Sequence, residues 1–140
     1  MIVLDTIVLS ALMQLQPDAQ VVAWLDGQPA ESIWLSTVTV FEARYGLALL
    51  ADGQRKHLLQ QRLDVLLQDE LENRVLPFDA SAAAQAAVLA AERKLRGRPV
   101  DMRDTFIAGI ALARRATIAT RNTRHFDDLT VPVVNPWGES

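Results

Sequence analysis

Cysteine is missing from this 140-residue chain. That excludes a disulfide framework, a thiolate metal site and a cysteine nucleophile, and it fits a reducing compartment, so a cytoplasmic location is expected. Long apolar runs are missing too. The longest, counting Gly109, is Phe106 to Ala113, too short to span a bilayer, so no membrane partner is expected. The N-terminus is apolar but lacks a basic region and carries Asp5, which argues against a signal peptide. There is no long linker, low-complexity tract, internal repeat or phosphate-binding glycine loop. The two histidines, His57 and His125, are isolated. No His-x-x-x-His or Ser-His-Asp spacing supports zinc or nucleophilic catalysis.

What is present is a foldable chain. Half of its residues are hydrophobic and 22% are charged, enough for one domain over residues 1–140 with a real core. Short runs rich in Val, Ile, Leu and Thr predict strands at 2–5, 33–36, 74–78, 117–120 and 131–134. Helical periodicity predicts helices near 7–14, 18–27, 38–52, 54–70, 80–96 and 102–115. Pro17, Gly27, Gly53, Gly97 and Pro99 stand at plausible ends. Strands alternating with helices indicate an α/β fold with a parallel sheet. The alanine-rich stretch from Ala80 to Ala91 suggests a helix packed closely on a neighbour. The leucines at 47, 49, 50, 58, 59 and 63 exceed what one core face needs, unless all of them are core.

Charge is distributed unevenly. The net charge is −3, and nine of the fourteen basic residues lie between Arg93 and Arg124. Arg93, Lys94, Arg96, Arg98 and Arg121 therefore become candidates for contact with a nucleic-acid backbone. The competing reading is a solvated helix face with arginine stems covering apolar surface.

Four polar residues punctuate strand ends and helix starts: Asp5, Glu42, Asp104 and Asn122. In open α/β sheets the carboxyl ends of the strands face one crevice. Carboxylates converging there need a cation, and oxygen-only ligands select Mg²⁺ or Mn²⁺. Each residue also has a structural reading. Asp5 could cap the following helix with help from Thr6. Thr39 and Glu42 could form a capping box. Asp101 could cap a helix with Asp104 at its third position, and Asn122 could be a turn residue. Two other phosphoryl-transfer folds place an Asp like Asp5. A haloacid-dehalogenase-like enzyme needs a second Asp where Ile7 stands. A response-regulator receiver needs a lysine at a late strand end, and the two lysines are Lys56 and Lys94.

The four blocks in order are more specific than any one of them. Met1-Ile2-Val3-Leu4-Asp5-Thr6, then Leu35-Ser36 leading to Glu42, then Asp104 before Ile107-Ala108, then Thr120-Arg121-Asn122, together resemble a PIN-domain protein of the VapC toxin type. The ending Val133-Val134-Asn135-Pro136-Trp137 resembles the FitB-like branch. The resemblance implies a doubly wound sheet of order 3-2-1-4-5 and Mg²⁺- or Mn²⁺-dependent cleavage of RNA. It implies Asp5, Glu42 and Asp104 as metal-binding acids and Asn122 as a fourth catalytic position that is often Asp. Thr6 and Thr120 match supporting hydroxyl positions. Ile7 stands where a small polar residue is common. The implied partners are a cognate antitoxin, an RNA substrate, DNA through the antitoxin, and a second copy in a homodimer. The alternative is a catalytically weak PIN-fold interaction protein that acts within a DNA-binding complex with its antitoxin.

Overall fold

In the computed structural model, residues 1–138 are described; Glu139 and Ser140, which the expected domain of 1–140 includes, lie outside the described residues. Five strands form one sheet: β1 (Ile2–Leu4), β2 (Ile33–Ser36), β3 (Val75–Leu76), β4 (Thr117–Ala119) and β5 (Val133–Val134). Their order is β3-β2-β1-β4-β5, and every neighbouring pair is parallel. Six helices flank them: α1 (Thr6–Met13), α2 (Ala19–Asp26), α3 (Thr37–Ala48), α4 (Gln54–Val65), α5 (Ala80–Leu95) and α6 (Met102–Arg114). Among the described residues, no helix is long and apolar enough to cross a membrane.

The strands alternate between two cores, as a pleated strand must. Val3, Trp34 and Ile118 pack toward α5 and α6, while Leu4, Ile33, Leu35 and Ala119 pack toward α1, α2 and α4. Helix α3 contributes Val38 to the first core and Val40, Ala43 and Leu47 to the second, so it bridges the two faces.

The strands are shorter than their apolar runs predict. β1 and β4 each end one residue early, so Asp5 and Thr120 stand just past the ladder. β3 retains only Val75–Leu76 of the expected 74–78, because Pro77 has no N–H to donate. β5 begins after Pro132 for the same reason. The helix expected over 54–70 has normal geometry only to Val65. Residues Leu66–Glu70 form a wider π turn, and Glu72 and Asn73 then take positive φ to turn the chain into β3.

The close α5–α6 packing expected from the alanines is present. It centres on Gly109, where an added Cβ would lie 2.5 Å from the Ala82 carbonyl oxygen and 2.7 Å from the Ala86 Cβ. The leucines of the first half divide. Leu47 and Leu63 are buried, Leu50 and Leu59 are partly covered, and Leu49 and Leu58 face outward.

Candidate active site

The sheet order reverses at β1, which lies between β2 and β4. A crevice opens at the carboxyl ends of the strands around such a point. Asp5 enters it directly from β1. Its backbone N–H donates to the Ala119 carbonyl at 3.0 Å, continuing the β1–β4 pairing one step beyond the strand. Its side chain is only 3% exposed as a residue and caps α1 by accepting from the Val8 N–H at 3.0 Å. The other carboxylate oxygen accepts a short hydrogen bond from the buried Thr120 hydroxyl. Thr120 in turn accepts from the Asn122 N–H at 3.0 Å. Capping and a role in the crevice are therefore compatible, because the two oxygens face different partners.

Burial pushes the Asp5 carboxyl up to about 6. Hydrogen bonds from Thr120 and Val8 oppose the rise, and the negative charge of Asp104 adds to it. An anion here is thus held in a place that disfavours its charge.

Glu42 lies in the second turn of α3. The capping box expected with Thr39 does not form. Helix α3 starts earlier, at Thr37, and Ser36 is its cap, accepting from the Thr39 N–H at 3.1 Å. Glu42 is thereby freed from the helix end. The Thr6 hydroxyl donates to its Oε1 at 2.9 Å and also lies 3.3 Å from the Thr39 hydroxyl. The Arg103 Nη1 stands 3.7 Å from Glu42 Oε2.

Asp104 is the third residue of α6, whose cap is Asp101, as the spacing suggested. Its carboxylate does not serve as a cap partner; Oδ2 meets the His125 Nδ1 at 2.8 Å. His125 had no recognisable spacing in the sequence. A turn over Thr123–His125 and Asp104 at the head of α6 bring the two together across 21 positions of chain. Asn122 sits at the exposed rim, and its carbonyl accepts from the His125 N–H at 3.0 Å. Its φ of −88° is not left-handed, so the turn does not need Asn for backbone reasons.

The model of the PIN domain matches residues 2–131. The chain belongs to the PIN-domain family. It is 42% identical to the VapC ribonuclease Y4jK of Sinorhizobium fredii over 98% of both chains. It is 41% identical to the toxin FitB of Neisseria gonorrhoeae over 98% of this chain and 99% of that one. It superposes on a chain in the structure of FitAB bound to an IR36 DNA fragment with a TM-score of 0.90 and 39% identity, covering 100% of this chain and 98% of that one.

In this PIN domain the acids are a hard-cation donor set by chemistry: oxygen donors only, one of them buried and reluctant to ionise without nearby positive charge. They are not a finished cage. Among the described residues no three Asp, Glu or His groups stand together as a metal site, and both Glu42 oxygens are engaged by Thr6 and Arg103.

The basic candidates separate. Arg93 is 1% exposed. It donates to Asp128 at 2.8 and 2.9 Å, to the Thr105 hydroxyl at 3.0 Å and to the His125 carbonyl at 2.7 Å. It is a buried bracket between α5, α6 and the loop after β4, and cannot touch an RNA backbone. Arg96 and Arg98 pair with Asp128 and Asp127 at 3.4 and 2.6 Å and remain partly exposed. Lys94 is exposed. The Arg121 guanidinium lies 4.8 Å from the centre of the Trp137 ring, and the indole N–H donates to Asp18 at 3.1 Å. The tail after β5 is thus tied to the cap of α2. Arg103 and Arg55, absent from the sequence candidates, are the arginines nearest the acids and the groove beside them. No local spacing points to Arg103, because its partner Glu42 is 61 positions away.

Proposed function

We propose that this PIN domain is the toxin of a toxin–antitoxin pair and acts as an Mg²⁺- or Mn²⁺-dependent endoribonuclease. The observation that carries the reading is the arrangement at the reversal point of the sheet. Asp5 is held by Thr120, Glu42 by Thr6, and Asp104 by His125. Asp5, Glu42 and Asp104 would hold the cation, with Asn122 at the rim as an uncharged oxygen donor. When bound, a divalent ion polarises the phosphate and makes an attacking water more acidic. The protein's part is to fix the carboxylates. Thr120 and the Val8 N–H orient the two oxygens of Asp5, and the His125 ring leaves one Asp104 oxygen for a ligand. Hydrolysis adds water across one phosphodiester, breaking a P–O bond and leaving a phosphate on one fragment and a hydroxyl on the other.

The antitoxin would lie in a groove of about 710 Å³ between α1, α3 and α4, lined by Ser10, Met13, Leu47 and Leu59 and reaching Thr6 and Glu42 at one end. An apolar helix suits such a surface, and occupation would cover the way to the acids. A second copy would cover the stacked Phe41–Tyr45 pair, whose ring centres are 5.9 Å apart on the outer side of α3. DNA binding would come through the antitoxin, in line with the DNA-bound FitAB structure.

One observation favours the catalytically weak alternative: the Arg103 pair that engages Glu42. Cleavage separates the two readings. Purified protein should cut RNA only with Mg²⁺ or Mn²⁺ present, and Asp104→Asn should abolish cutting while the fold persists. Equal cutting by the variant, with contaminating nuclease excluded, would sink the assignment.

A further inference from the structure

Arg103 and Arg93 occupy contrasting situations. Arg93 has all its contacts between 2.7 and 3.0 Å, and its side chain is 2% exposed. Arg103 lies on the first turn of α6, immediately before Asp104. Its side chain is 48% exposed and stands 3.7 Å from Glu42 and 3.6 Å from Asp101. Charge-assisted hydrogen bonds run about 2.7–2.9 Å, so neither contact is a closed bond. A guanidinium carries five donors in a planar fork suited to carboxylate or phosphate. Those of Arg103 are attracted to two carboxylates without being locked to either. Its positive charge meanwhile sits against the acid that a metal site would need.

We propose that Arg103 is an exchangeable phosphate-binding residue of this site. In the free protein it neutralises Glu42. When a divalent cation takes Glu42, the guanidinium turns to a phosphate oxygen of the RNA backbone. This rests on the metal-dependent nuclease reading and adds a residue and a sequence of exchange to it. Each partner change preserves charge balance: Glu42 passes from a fixed cation to a mobile one, and Arg103 passes from one anion to another. The displacement is cheap because the pair is half exposed and screened by water. Because the Arg103 guanidinium stands 3.7 Å from Glu42, the phosphate it receives would lie beside the acids.

The exchange predicts effects of opposite sign. In Arg103→Gln, Mn²⁺ binding measured by calorimetry without RNA should tighten by roughly two- to fivefold, the range an exposed ion pair commands. RNA binding should weaken. The probe is a single-stranded RNA oligonucleotide of mixed sequence, followed by fluorescence anisotropy with Ca²⁺ in place of Mn²⁺, so that the acids keep a cation while the strand stays uncut, as a gel of the same sample checks. The slope of log affinity against log salt should fall by about 0.7, the value of one phosphate contact on a single strand. Arg103→Lys should retain the slope. Unchanged or weaker Mn²⁺ binding in Arg103→Gln, or an unaltered salt slope, overturns the proposal, since a merely structural arginine would leave the slope alone. If the parent binds Mn²⁺ and RNA and only the variant differences fail, the nuclease reading stands without Arg103. If the parent binds neither, both fall.

Discussion

The two faces of the sheet are built to different ends. On the α5–α6 face, small residues bring two helices into near contact at Gly109, and the charged groups Arg93 and Asp128 are sealed inside with their hydrogen bonds complete. On the face of α1, α2 and α4, leucines fill a core but leave grooves of about 710 and 570 Å³ between the helices, with Leu15, Leu49 and Leu58 outward. The first face is the tighter, with a smaller cavity of about 390 Å³ beside Ala90, Lys94 and Met102. The other is stable without being covered. The acids stand at the edge where the faces meet, so the closed face can hold Asp104 and His125 still while the open face gives a partner access to Glu42.

The sharpest break in this contrast is at Arg93. Arg93→Ala leaves the Asp128 carboxylate with the looser Arg96 contact at 3.4 Å in place of the two Arg93 hydrogen bonds, a loss of up to about 3–5 kcal/mol. A urea titration should show it, and Arg93→Met with Asp128→Leu should recover much of the loss. A loss below about 1 kcal/mol would mean that water reaches the pair and that the face is not closed.

Next in size is the response of two acids to pH. The folded pKa of Asp5, about 6, lies above its ordinary 3.8. The native state therefore holds a proton that the unfolded state has lost, and its contribution to stability is full below pH 3.8 and vanishes as pH rises through 6. The difference amounts to about 3 kcal/mol at 1.36 kcal/mol per pKa unit. Asp128 has the opposite sign. The Arg93 hydrogen bonds hold its carboxyl below 3.8, so its contribution is present above that value and is lost as pH falls through the depressed pKa. In metal-free buffer, raising pH from 4 to 7 should destabilise the parent relative to Asp5→Asn. Parallel urea midpoints for the two proteins across that range would contradict the burial of an ionised Asp5.

A methyl group tests packing on both faces. Gly109→Ala forces a Cβ against the Ala82 backbone and should cost about 1–3 kcal/mol. Gly46→Ala, in α3 with nothing within 4 Å of the added Cβ, should stabilise by about 0.5–1 kcal/mol through helix propensity. Equal signs in thermal melts would erase the distinction between the faces.

The smallest effect belongs to the open face alone. Leu15→Ser, at the exposed lining of the 710 Å³ groove, should change stability by no more than about 0.5 kcal/mol, as exposed substitutions do, yet weaken capture of the antitoxin. A large loss of stability would place Leu15 in the core.

By itself the sequence determined the alternation of strands and helices and the parallel sheet, because short apolar runs and helical periodicity are local properties of neighbouring residues. Asp5, Glu42 and Asp104 were legible as candidates for a related reason: a charge at the end of an apolar run has few local explanations. The capping role of Asp5 was legible as well, since it depends on a residue three positions on. Tertiary structure decided what depended on distant chain. The partner of His125 is Asp104, the partner of Arg103 is Glu42, and the hydroxyl on Asp5 comes from Thr120, 115 positions away. It also separated the arginines, burying Arg93 while leaving Arg103 at the mouth, because the same residue type is bracket or ligand according to how many of its donors the fold satisfies and how much water it retains.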